Sequence, residues 1–235
     1  GNYCFKYTYS VQSTNALSLE YFFSFRKAIP SPSSTVIRKN AELKRLSTDA
    51  EDVWIENYAI KGLTSLVFNG QRAMRNLTIG VYALNGVTLF ELSDLEMLER
   101  VVIMKRAFIT EAGQFRISNC TKLKTIDIGE SAFYHYDSFT LSNLPQLQSI
   151  QLSYHAVQKV HSIVLDDLPS LQSIQLLSSS FQGDDSDDRK TLNDAPYNFK
   201  NTLTMRNLPA LIKFRGDTYN FQNIGSVTLE TIPAL

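Results

Sequence analysis

Cysteine is nearly missing. The 235 residues hold two, Cys4 and Cys120, which excludes a disulfide framework and a four-cysteine zinc site within the chain. The histidines are three, His135, His155 and His161; none shows a paired metal spacing or stands beside a nucleophile on a recognisable turn, so solvent-exposed loop positions are expected for them. An excess of charge of one sign is missing as well. Lysine plus arginine and aspartate plus glutamate stand at 23 each, no long stretch is dominated by either, and nothing could neutralise a row of phosphates. Nucleic acid is therefore not an expected partner. Apolar runs fall far short of the ~20 residues of a membrane-spanning helix, and GNYCFKYTYS at the N-terminus has no basic region followed by an apolar stretch. No membrane insertion is expected within this chain. Its first residue is Gly1 rather than methionine, which reads as a trimmed chain.

What is present in quantity is repetition. NLPQLQSIQL at 143–152 returns as DLPSLQSIQL at 167–176, and a search for fixed periods precedes every other reading. Anchored on Leu141, equivalent residues are Phe68, Leu92, Ile117, Leu141, Leu165, Met205 and Leu229, at steps of 24, 25, 24, 24, 40 and 24. The long step equals one unit plus a 16-residue insertion. Apolar residues recur three places beyond the anchor, as at Leu95, Cys120, Leu144, Leu168, Leu208 and Ile232, and again at Leu123, Leu147, Leu171 and Leu211. Paired apolar residues one place apart follow, such as Ile126 with Ile128 and Ile150 with Leu152.

That pairing has period two, so Ile150 and Leu152 face one way while Ser149, Gln151 and Ser153 face the other, which predicts a short strand. A second alternating stretch, such as Phe139 and Leu141 about Thr140, predicts a second strand per unit. Between them lies N-L-P or D-L-P. Asn143, Asp167 and Asn207 are expected to bond their side chains to backbone two residues on, and Pro145, Pro169 and Pro209 to fix a sharp turn. One unit cannot bury its own leucines, so stability must come from stacking. The organisation expected is an N-terminal cap over 1–49, helical or strand-like, then a solenoid over 50–235 with an inserted loop at about 183–199. The cap carries Leu19, Tyr21, Phe22, Phe23 and Phe25, then the turn-rich PSPSS at 30–34. The stop at Leu235, on the first leucine of a new strand, reads as truncation of a longer protein.

The pattern L-x-x-I-x-L-x-x-x-x-F, seen in LQSIQLSYHAV (147–157) and LKTIDIGESAF (123–133), resembles leucine-rich repeat proteins. It departs from them at the asparagine place, held by Tyr58, Tyr82, Arg106, Ser131, His155, Ser179 and Tyr219, so the asparagine ladder between rungs is absent there. Alanine before the final apolar place, as in Ala107 with Phe108 and Ala132 with Phe133, is similar to the surface-antigen (BspA-like) subclass. The resemblance implies a leucine-rich repeat solenoid, an α/β or mainly β horseshoe with about 24 residues per repeat. It also implies a partner surface on the parallel sheet, adhesion or recognition at the cell surface, and no chemistry or cofactor of its own.

The partner-facing column expected is Trp54, Thr78, Val102, Asp127, Gln151, Gln175 and Arg215. Trp54 is its most anchor-like member unless it lies under the N-terminal cap. Gln148, Gln151, Gln172 and Gln175 form a polar ladder that also suits plain solvated strand surface. In the insertion, Asp184, Asp185, Asp187 and Asp188 lack calcium-loop spacing and read as a flexible acidic loop, a contact for a basic partner. Cys120 occupies a buried leucine place. Asn76 and Asn119 begin N-x-T glycosylation triplets. The function expected is a non-catalytic protein-binding scaffold. The alternatives are a structural spacer in a longer protein and a β-helix enzyme acting on polysaccharide, which would need clustered acids where the column has Asp127 alone.

Overall fold

The computed structural model describes residues 34–185 and 200–234. A short strand, β1 (Thr35–Ile37), and a single helical turn, α1 (Asn40–Leu43), precede seven coils of two strands each. Coil 1 is β2 (Asp52–Ile55) with β3 (Ser65–Phe68); coil 2 is β4 (Asn76–Ile79) with β5 (Leu89–Ser93). Coil 3 is β6 (Arg100–Ile103) with β7 (Gln114–Ser118); coil 4 is β8 (Thr125–Ile128) with β9 (Ser138–Ser142). Coil 5 is β10 (Ser149–Leu152) with β11 (Ser162–Asp166), coil 6 is β12 (Ser173–Leu176) with β13 (Asn201–Arg206), and coil 7 is β14 (Lys213–Gly216) with β15 (Ile224–Glu230). The first strands of the coils, led by β1, form sheet A in the order β1-β2-β4-β6-β8-β10-β12-β14; the second strands form sheet B. All pairings are parallel. The molecule is a parallel β-solenoid of about seven turns, and among the described residues its only helix lies outside the coils.

Register follows the sequence repeat. Ile150 lies beside Ile126 and Ile174, and Leu165 beside Leu141 and Met205. Period-two burial results: in β8 and β12 alternate residues are buried and the residues between them are half-exposed. The step of 40 residues leaves the pairing of Ser162 with Thr202 undisturbed, so the extra residues fall between β12 and β13 within coil 6 and the stack keeps its register. Both roots are clamped. The buried Asn201 donates from Nδ2 to the carbonyls of Asp184 (2.7 Å) and Asn223 (2.8 Å), and Asn223 donates to that of Gly183 at 2.9 Å. Residues 186–199, with Asp187 and Asp188, lie outside the described residues.

The corners explain the two odd features of the repeat. At the corner after sheet A, the asparagine place and the final apolar place both take left-handed backbone: Tyr82 and Leu84, Arg106 and Phe108, Ser131 and Phe133 have φ between 54° and 61°. A non-glycine residue pays roughly 1–2 kcal/mol for this conformation. Burying a phenylalanine contributes about 1.5–3 kcal/mol, enough to hold Phe108 and Phe133, both fully buried. The other corner is held differently from expectation. Asn119, Asn143 and Asn207 are also left-handed, and their side chains bond along the stack rather than to nearby backbone. Asn119 donates to Asp94 (3.0 Å), Asn143 to Asn119 (2.9 Å) and Asn207 to Asp167 (2.6 Å). A ladder of side-chain hydrogen bonds thus runs along this corner. The physical reason is satisfaction of polar groups: once φ is positive the side chain is one rung from its equivalent, not from the backbone ahead.

The core is a ladder of phenylalanines. Phe108 stacks on Phe133 (4.3 Å, 17°) and Phe115 on Phe139 (4.4 Å, 12°). Coil 3 has one residue more than its neighbours, between β6 and β7, and places the buried Gly113 between Thr88 of coil 2 and Asp137 of coil 4. Tyr136 of coil 4 fills the space a side chain there would take. It is fully buried, and its hydroxyl donates to the Val87 carbonyl at 2.6 Å, two coils away. A Cβ on Gly113 would lie 2.7 Å from the Tyr136 ring.

The ends differ. Residues 34–49 form a strand followed by a helical turn, with Leu43 and Leu46 packed on the core; Leu19, Tyr21, Phe22, Phe23 and Phe25, named for the expected cap, lie outside the described residues. At the other end Val227 and Leu229 are 55% and 54% exposed, although Phe139 and Leu141, their equivalents, are fully buried.

Candidate functional site

Among the described residues no element packs over the outer face of sheet A from coil 2 to coil 7, where the outward residues are half-exposed or exposed. The expected column lies in one row: Trp54 beside Thr78, then Val102, Asp127, Gln151, Gln175 and Arg215, each on the strand next to the last. Trp54 is a correction. It is only 9% exposed and has Val36 of β1 beside it, so it offers no anchor to a partner. β1 adds one more strand to sheet A at that end, which puts a strand where the repeat alone would leave an edge. The rest of the column is half-exposed or exposed.

The face divides along its length. Across coils 1 to 4 charges are paired from rung to rung: Arg75 meets Glu51 at 3.5 Å and Glu99 at 2.9 Å, Lys124 meets Glu99 at 2.8 Å, and Arg100 meets Asp127 at 2.7 Å. The hydrogen bond from Lys124, ahead of the contribution from Arg75, holds the Glu99 carboxyl below the usual carboxylate range. Exposed pairs of this kind contribute little stability each; their effect is to leave that half of the face electrically balanced. Across coils 5 and 6 the face is neutral, with Gln148, Ser149 and Gln151 repeated as Gln172, Ser173 and Gln175. A shallow depression lies there, lined by Asp127, Gln151, Leu152, Ser153, Gln175 and Leu177. The amide chain along the stack forms elsewhere, from Gln158 to Gln182 and from Gln182 to Gln222 (2.8 Å).

Other candidates take structural places. Cys120 is buried, and burial pushes its thiol up to about 11. Asn76 and Asn119, the two glycosylation triplets, spend their amides on Asp52 (2.7 Å) and Asp94 (3.0 Å) of the preceding coils. Asp184 is a second correction: it is buried, with His161 Nε2 at 3.6 Å and Lys159 Nζ at 3.7 Å, and so belongs to the wall of the stack, not to an open acidic loop. Asp185 stands 3.8 Å from the same lysine. Of the histidines only His155 is exposed; His135 and His161 are half-buried, and burial, ahead of nearby Lys159, lowers the His135 pKa. Among the described residues no three His, Cys, Asp or Glu side chains are grouped to hold a metal ion.

At the corner where the strands of sheet A end, Tyr58 and Tyr82 stack with ring centroids 5.4 Å apart and planes 9° from parallel. Arg106 lies over the Tyr82 ring at 5.7 Å and donates to its hydroxyl at 2.7 Å. The signal was legible as three large side chains where asparagine was expected; their stacking follows from left-handed backbone that the residue pattern alone does not display. Comparison with protein-family models, with curated proteins and with solved structures finds no match to this chain.

Proposed function

We propose that this chain is a non-catalytic binding scaffold that docks a partner protein on the outer face of sheet A. The observation that carries the reading is the continuous row of Thr78, Val102, Asp127, Gln151, Gln175 and Arg215 on six adjacent parallel strands, with the depression at Asp127, Gln151 and Gln175. A rigid sheet presents such a row at little ordering cost, which favours association. Asp127, the carboxylate a hydrolytic reading would enlist, is bonded to Arg100 at 2.7 Å, which supports binding over acid–base chemistry.

The finer identity belongs to the same proposal. The L-x-x-I-x-L strand and the alanine before the final apolar residue support a leucine-rich repeat of the BspA-like kind, and with it a role in recognition or adhesion at the cell surface. The test is affinity capture with the chain and with a Gln151→Arg, Gln175→Arg variant, which places two new charges in the depression and leaves the core alone. The expected result is a partner retained by the parent and lost by about ten-fold or more in affinity by the variant. Equal retention would refute the docking face, and no partner for either would favour the spacer reading.

A further inference from the structure

We propose that the rim of Tyr58, Tyr82 and Arg106 is the anchor of the partner contact, and that it takes an acidic segment of a partner protein in which a carboxylate neighbours an aromatic side chain. The proposal rests on the scaffold reading and moves the energetic centre from the middle of sheet A to its edge. Three observations carry it.

First, the group is held in place before any partner arrives. Each of the three residues has left-handed backbone and donates its amide to the next coil: Tyr58 to Val81 (2.8 Å), Tyr82 to Lys105 (3.1 Å) and Arg106 to Glu130 (2.8 Å). Those bonds fix the backbone, and the Tyr58–Tyr82 stack with the Arg106 bond to the Tyr82 hydroxyl holds the side chains, so less freedom is left to lose on binding. Second, the group is accessible and unfinished. Tyr58 is 63% exposed with only one face engaged in the stack, and tyrosine and arginine are the residue types that dominate anchors at protein interfaces. Third, its charge is uncompensated. Lys105 next door is paired with Glu130 at 2.8 Å, and Arg75, Arg100 and Lys124 are each paired with carboxylates. Arg106 has, among the described residues, no carboxylate within ion-pair distance, and its other guanidinium N–H groups make no hydrogen bond.

A planar guanidinium with free donors suits a carboxylate in bidentate geometry, and the open face of Tyr58 suits an aromatic ring at the stacking distance already seen between Tyr58 and Tyr82. A protein partner is favoured over a polyanion such as a sulfated glycan or nucleic acid. Those need a row of free cations, whereas the neighbouring cations here are neutralised.

The experiment selects binders from a displayed library of random short peptides, using the full chain, a Tyr58→Ala variant and an Arg106→Gln variant, with thermal melts to confirm that both fold. The expected result is enrichment of Asp or Glu beside Phe, Tyr or Trp with the parent. A synthetic peptide from that pool should bind about ten-fold or more weakly to either variant, and its Glu→Gln form should bind the parent and Arg106→Gln equally weakly. Enrichment without acidic residues, or the same peptides with all three chains, would overturn the proposal, as would heparin binding more tightly than the peptide in an Arg106-dependent way. A partner captured by the parent that survives both rim substitutions but is lost on Gln151→Arg, Gln175→Arg would overturn the rim while leaving the scaffold reading intact.

Discussion

Placing a methyl group on Gly113 tests the core at its least regular point. The Cβ of Gly113→Ala would lie 2.7–2.9 Å from three atoms of the Tyr136 ring, closer than carbon atoms approach without displacement. That ring cannot swing aside, because it is fully buried, packs edge-on against Phe133 at 4.7 Å and is tied through its hydroxyl to the Val87 carbonyl. Overpacking of this kind costs roughly 1–3 kcal/mol. Tyr136→Leu removes the ring, and with it both the clash and the donor to Val87; alone it should cost about 2 kcal/mol or more from lost packing and an orphaned acceptor. The double variant should then be no worse than Tyr136→Leu alone, giving a coupling of about 1–3 kcal/mol between the two positions. Urea unfolding followed by circular dichroism reads the midpoints, with unchanged slopes needed for a comparison of stabilities. If Gly113→Ala shifts the midpoint equally in both backgrounds, or not at all, Tyr136 does not fill the space left by coil 3.

Two further outcomes follow from burial. Leu147→Ala, in the middle of the stack, should lower stability by roughly 2–5 kcal/mol, whereas Leu229→Ala, half-exposed on the last coil, should stay within about 0.5 kcal/mol; equal losses in thermal melts would refute the assignment of one continuous core. The raised Cys120 thiol gives a pH dependence of known sign. Below the ordinary thiol value of 9.0 the group is protonated in both states and contributes no slope. Between there and about 11 the unfolded chain releases the proton first, so stability should fall as pH rises, by roughly 3 kcal/mol in all. Denaturation of the parent and of Cys120→Ala between pH 8 and about 11 should show that extra slope in the parent alone; parallel curves would contradict it.

Much of this architecture was legible in the residues. Ile150 and Leu152 recur at period two, and the place of each rung followed from counting, including the 40-residue step that leaves Ser162 beside Thr202. What failed was everything that depends on neighbours outside the unit. Trp54 occupies an outward place in its own strand, and its burial, with β1 added beside it, is not written in the repeat. Asn143 has a side chain suited to a local turn, but its nearest equivalent amide lies one rung away at 2.9 Å, and the stack wins. The 25-residue step was countable, yet that it opens a space which Tyr136 occupies depends on the inward direction of a residue one coil later. The candidate site divides the same way: the column through Gln151 and Gln175 came from periodicity, while the tyrosine and arginine rim requires knowing that Tyr58, Tyr82 and Arg106, equivalents on three successive coils, share one backbone conformation.

The paired asparagines at the roots of the inserted segment give the molecule a mounting point. Asn201 and Asn223 join the carbonyls of Gly183 and Asp184 to the wall of the last coils, so the departing and returning chain are held within one bracket whatever runs between them. Gly183, Asp184 and Asn201 are thus fixed to the rungs, and because the entropy of closing a chain between two fixed points grows only slowly with its length, the bracket favours tolerance of a longer or shorter connection there.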